Sequence, residues 1–163
     1  MILPLIRGRV AVLVLVLSLF PPGQLCLAGG GTVCLVTAVS GDGENPEAAL
    51  LRARIEDGFM DLFFENGFIV FNCAAAETQD AVRLAEEGGA GFLVSVSVEL
   101  IREDGSVRIR SVRFAGTDLV SRAPFLSDSL TADSMTDPAG DPEFCRSLGK
   151  EVAERLLRAM DER

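Results

Sequence analysis

Gly88-Gly89-Ala90-Gly91-Phe92-Leu93-Val94-Ser95-Val96-Ser97-Val98-Glu99-Leu100-Ile101 is the stretch whose reading decides the fold. From Phe92 to Leu100 every even position is apolar, while Ser95, Ser97 and Glu99 stand between them. That is the two-residue period of a strand with one buried face, and helices are needed to cover it. The class is therefore α/β (α+β): a single domain in which a mixed sheet is packed by helices.

Upstream, the Gly88-Gly89 pair closes a short helix over Gln79–Glu87, capped by Thr78, with Ala81, Val82, Leu84 and Ala85 on its inner side. Two further strands precede it. Thr32–Val39 is apolar on both faces, which predicts a central strand, and Phe68–Cys73 is too short and too β-branched and aromatic for a helix. Between them, Asn45-Pro46 opens a helix whose stripe is Leu51, Ile55, Phe59, Leu62 and Phe63, widened by Met60 and Phe64 and ended by Gly67.

Downstream, Glu103-Asp104-Gly105-Ser106 predicts a hairpin turn into a returning strand, Val107–Phe114. Val107 and Ile109 share one parity and Val112 and Phe114 the other, so a bulge near Arg110-Ser111 is expected. Thr117–Arg122 reads as a short edge strand, and 123–141, rich in Ser, Thr, Asp and Pro, as an exposed acidic loop. Asp141-Pro142-Glu143 then opens a closing helix over 142–161, striped by Phe144, Leu148, Val152, Leu156 and Met160. The predicted order is β-α-β-α-β-β-α, with the first strand central and the hairpin at one side.

Residues 1–28 carry the parts of a secretory signal peptide: Arg7 and Arg9, the apolar run Val10–Phe20, Pro21-Pro22-Gly23, and a small-residue site at Ala28. The run is about half of the roughly 20 residues a span requires, so no stable transmembrane segment is expected after cleavage. Lipidation of Cys26 is disfavoured, because Leu25 is bulky where a lipoprotein signal needs a small residue. The remaining 29–163 form the α/β domain, exported to the periplasm or envelope. Of 163 residues, 48% are hydrophobic and the net charge is −9; without Arg7 and Arg9, 13 basic residues face 24 acidic ones. Such a surface repels phosphate backbones, which argues against nucleic acid as a partner.

Absent residue types narrow the chemistry. With no His, the commonest general base and transition-metal ligand is missing, and with no Trp or Tyr the aromatic platforms reduce to ten Phe in core-like patterns. No catalytic, cofactor-binding or metal-binding residue is assigned. The acidic stretch Asp128, Asp133, Asp137, Asp141 and Glu143 lacks EF-hand spacing, since counting from Asp133 puts Met135 third and Pro138 sixth. Cys34, Cys73 and Cys145 follow the leader without a Cys-x-x-Cys. Placing Cys34 near the start of one strand and Cys73 near the end of its parallel neighbour separates them by about 10 Å, so buried single thiols are expected. One basic cluster remains as a candidate partner-binding site: Arg102, Arg108, Arg110 and Arg113 on the hairpin, suited to a carboxylate-rich partner or to pairing with Glu99 and Glu103.

Two segments carry a family resemblance. Ala49-Leu50-Leu51 through Asp57, Leu62-Phe63 and Gly67 into Phe68-Ile69-Val70-Phe71 is similar to a helix-then-strand segment in one group of proteins, and Ala81 to Val98, with Gly89-Ala90-Gly91-Phe92-Leu93-Val94, is similar to a second. Together they resemble the small α/β domain shared by the CsgG curli-secretion component, LpoB-type penicillin-binding-protein activators and the amino-terminal domain of TolB. The resemblance implies an envelope protein that works by contact, as scaffold, assembly factor or activator, and it carries over no functional residue. The chain lacks a lipobox and CsgG's membrane-inserting hairpins, which argues against pore formation. The expected function is a non-catalytic interaction or assembly module with an envelope protein as partner and no cofactor. The alternatives are a small-ligand-binding periplasmic domain, which requires a Phe-lined pocket, and a carboxylate-based hydrolase, which requires two converging acids.

Overall fold

In the computed structural model, which describes residues 31–41, 46–73, 78–103, 106–131 and 141–163, the chain runs β1 (Thr32–Ser40), α1 (Pro46–Glu65), β2 (Ile69–Asn72), α2 (Thr78–Glu87), β3 (Phe92–Glu103), β4 (Ser106–Asp118), β5 (Ala123–Thr131) and α3 (Pro142–Asp161). The leader over 1–28, the Asp104-Gly105 turn tip and the 132–140 part of the acidic connection lie outside the described residues.

The sheet has the order β2-β1-β3-β4-β5, with β1 parallel to both neighbours and β3, β4 and β5 antiparallel in turn. The expected mixed α/β sheet is thus present, with two corrections. Ala123–Thr131, expected within the exposed loop, is the edge strand β5, and the expected edge strand Thr117–Arg122 divides into the end of β4 and a turn. Leu119 is buried in that turn while Val120 is 89% exposed, so only one of this apolar pair serves as an anchor. β1 lies between β2 and β3, interior as expected, and because β5 adds a strand beyond the hairpin the middle of the five is β3.

From β1 the chain crosses to β2 through α1, then returns over β1 to β3 through α2. Two crossovers of the same hand running in opposite directions put their helices on opposite faces. Accordingly, α1 and α3 bury one face (Val33, Leu35, Val94, Val96, Val98, Val112 and Phe114), whereas α2 covers only Cys34, Leu93 and their surroundings on the other. The even positions of β3 form the buried row read from the sequence: Val94, Val96, Val98 and Leu100 are all at most 6% exposed.

The two long helices pack against each other through glycines. A Cβ on Gly58 would fall on the Arg146 carbonyl oxygen and one on Gly149 on the Ile55 carbonyl oxygen, so the backbones touch where side chains are missing. Arg146 reaches across to Asp61 at the same crossing. Helix α1 ends in a Schellman motif: Gly67 N–H donates to the Phe64 carbonyl (3.0 Å), Phe68 N–H to that of Phe63 (3.0 Å), and Gly67 takes φ 80°. Phe68 packs edge-on against Phe63 with ring centroids 5.2 Å apart, the apolar contact that accompanies this motif. Phe64, expected to widen the apolar face of α1, is instead 54% exposed. As predicted, Asp141 caps α3, its carboxylate accepting from Glu143 N–H at 2.9 Å.

Cys34 and Cys73 form a disulfide, with Cα atoms 6.2 Å apart. The expectation of single thiols fails because of register. Cys34 lies opposite Phe71, so Cys73 is only two residues further on, and its N–H donates to the Leu35 carbonyl at 2.8 Å, which folds it back over β1. Cys145 lies buried in α3 outside the disulfide, and burial raises its thiol pKa.

Candidate interaction surface

The face of the sheet that α2 leaves open is a trough of about 580 Å3. Its floor follows from the register. One row across the strands is Ala38, Ser97, Arg113 and Ser129, and the next is Val36, Ser95, Ala115 and Ser127. Alternation that buries Val94, Val96 and Val112 on one face necessarily turns these small and hydroxylated residues to the other. Asp128, the one carboxylate-bearing residue bordering the trough, stands opposite Phe114, so alternation turns its side chain to the α3 side, where Arg155 holds it at 2.8 Å.

The hairpin arginines rim this face at its β3–β4 end. Pairing shifts between Glu99 and Leu100, since Glu99 faces Ser111 but Leu100 faces Ile109, so Arg110 is the extra residue of a bulge, as the broken alternation predicts. Glu99 collects three donors there: Arg110 Nη1 at 3.3 Å, Ser111 Oγ at 3.1 Å and Arg113 Nη2 at 3.8 Å. The two guanidinium groups are 62% and 70% exposed, so most of their surface still faces solvent. Arg108 lies opposite Ile101 and Arg102 opposite Val107. Adjacent pairs point to opposite faces, so the structure brings Arg110 and Arg113 to one carboxylate and does not gather all four arginines.

Sequence reading passed over Asp118, which organises the opposite end of the same hairpin. Its Oδ1 accepts from Val120 N–H (2.8 Å) and Ser121 N–H (3.0 Å), and its Oδ2 from Arg163 Nη2 (2.7 Å). The Ser121 N–H, then Arg163, then the Val120 N–H hold its carboxyl at about 2 against the loss of hydration. An Asp immediately before a turn was the available signal. Asp128 is likewise lowered, first by Arg155 and then by Ser129 N–H.

Among the described residues no group of three or more Cys, Asp or Glu is placed to hold a metal ion, and no helix is long and apolar enough to cross a membrane.

No protein-family model matches the chain, and no curated protein does. Solved structures match it in fold. The PelC dodecamer from Paraburkholderia phytofirmans is 17% identical with a TM-score of 0.52, over 79% of this chain and 88% of that one. The hypothetical protein CT253 from Chlamydia trachomatis is 13% identical at a TM-score of 0.53, over 82% of this chain and 99% of that one. TolB from Acinetobacter baumannii, whose amino-terminal domain the sequence pattern resembles, also matches, at 12% identity and a TM-score of 0.46 over 80% of this chain. The chain spans about 28% of TolB's length. At these identities the likeness is one of fold, a five-stranded mixed sheet with three helices.

Proposed function

We propose that the chain is an exported, non-catalytic interaction or assembly module of the bacterial cell envelope, binding its protein partner through the open sheet face and the arginines at its rim. The observation that carries this reading is how the apolar side chains are spent. Five phenylalanines run ring to ring beneath the sheet, Phe59–Phe63–Phe68–Phe92–Phe125, with centroids 4.4 to 6.4 Å apart. They pack in the interior, and the space left open is lined by serines, alanines, Thr117 and Arg113 together with Val36 and Leu93. Small-molecule sites are lined mainly by larger hydrophobic and aromatic groups, which these residues supply sparsely. A carboxylate-pair hydrolase needs two acids about 5 to 10 Å apart around a bond, and the one carboxylate bordering the trough, Asp128, faces α3 and is paired with Arg155. Likeness to PelC, solved as a dodecamer, supports an assembly role by fold analogy. Of Arg102, Arg108, Arg110 and Arg113, the pair at Glu99, Arg110 and Arg113, is proposed to face the partner, matched to an acidic surface.

Mild crosslinking in envelope extracts followed by affinity capture tests the reading. A protein partner recovered with the wild-type chain, and reduced with Arg110→Glu/Arg113→Glu, is the expected result. A stoichiometric small molecule in its place, with no protein, overturns it.

A further inference from the structure

We propose that the outer edge of β5 is a pairing site for the β5 of a second copy of this chain, and that Asp128 keeps that edge closed. Strand β5 ends the sheet, so one row of its backbone groups is left without a neighbouring strand among those described. Such an edge is a template for another strand unless something blunts it. Pro124 interrupts the ladder at one end, where pairing with β4 also shifts between Gly116 and Thr117. Beyond it, Phe125 to Thr131 carries a single charge, Asp128.

The occupant follows from the sequence of the strand itself. Leu126-Ser127-Asp128-Ser129-Leu130 reads the same in both directions. Antiparallel pairing about a two-fold axis at residue 128 sets Leu126 of one copy opposite Leu130 of the other and Ser127 opposite Ser129, each on the matching face, an isologous contact. The same register sets the two Asp128 side chains directly opposite each other, where like charges destabilise. Asp128 acts in a second way. Its Oδ1 accepts from Ser129 N–H at 2.8 Å, so this N–H is turned away from the β4 ladder and is already taken. Its Oδ2 is pinned by Arg155 Nη1 at 2.8 Å, with Arg155 held in turn by Glu151 at 2.8 Å. The carboxylate is thus held against the edge by α3, occupying the donor that an added strand needs. This inference does not depend on the proposed envelope partner, which uses the sheet face and not its edge.

Asp128→Ala removes both the charge and the clasp while leaving Arg155 its bond to Glu151. In sedimentation over a concentration series this variant is expected to self-associate about tenfold or more tightly than the wild type. The Ser127 and Ser129 amides then exchange hydrogen more slowly as dimer forms. Adding Ser127→Pro, at an N–H that faces away from β4, returns it to wild-type sedimentation, with circular dichroism checking that the sheet persists. Asp128→Asn, which removes charge but keeps an amide oxygen for Ser129, serves the same measurement should the alanine variant unfold. Sedimentation identical to wild type in the folded variant, or a dimer whose Ser127 and Ser129 amides stay unprotected, overturns the proposal.

Discussion

Asp118 shows how much one carboxylate can organise when its partners come from two places. It ties the turn after β4 to itself through two backbone N–H groups and ties the end of α3 to that turn through Arg163, whose guanidinium also lies 5.6 Å from the Phe125 ring centroid. With its carboxyl held at about 2, below the ordinary 3.8, it binds fewer protons folded than unfolded. Its stabilisation is therefore complete above the unfolded value and is lost as pH falls from about 4 through about 2. Thermal melts of wild type and Asp118→Ala are expected to differ at pH 7 and to converge at the acid end of that window. None of this was legible from the residue alone. The Thr117–Arg122 segment reads as a strand, and only the burial of Leu119 with exposure of Val120 reveals a turn.

At the scale of elements, what was legible depended on whether a pattern is local. The β3 alternation, the capped opening of α3 and the bulge at Arg110 each follow from neighbours in sequence, and each is present. Two features that depend on pairs far apart were not. The α1–α3 crossing rests on Gly58 and Gly149, which look from sequence like weak points in two helices, each costing about 1 kcal/mol against alanine. In the folded chain the sign reverses. Gly149→Ala gains that propensity but drives a methyl onto the Ile55 carbonyl, so a net loss of about 1 to 3 kcal/mol is expected from the urea midpoint. The Cys34–Cys73 bond was misjudged by the alignment of two strands, a quantity set by where β2 begins to pair. Of Cys34, Cys73 and Cys145, only Cys145 is expected to react with a thiol reagent in denaturant without reductant. Replacing the bonded pair, whose sequence separation is 39, by alanine is expected to cost about 3 to 4 kcal/mol by chain entropy.

At the scale of the whole molecule, composition and hydrophobic period indicated the layers but not the faces. A sheet with helices on both sides can be read from strand–helix alternation. That α1 and α3 share one side and leave α2 to cover part of the other follows only from strand order, which the added β5 altered. The candidate surface was legible as a set of arginines on one hairpin, yet its division into a Glu99-bound pair and two flanking residues needed the register. Because Arg110 and Arg113 are exposed, their ion pairs contribute little to folding. Arg110→Glu/Arg113→Glu is expected to melt within a few degrees of wild type while losing captured partner, a separation that distinguishes a binding face from a structural one.

The sulfur bridge between β1 and the end of β2 also ties this architecture to its surroundings. Strand β2 is four residues long and sits at the margin of the sheet, so in a thiol-reducing compartment it loses a covalent anchor that its few ladder bonds replace poorly. Newly made chain kept reduced is then easier to unfold, and it becomes resistant once oxidants close the bond. Protease digestion before and after oxidation is expected to show this as a gain in lifetime, with the first cuts in the reduced chain falling around β2.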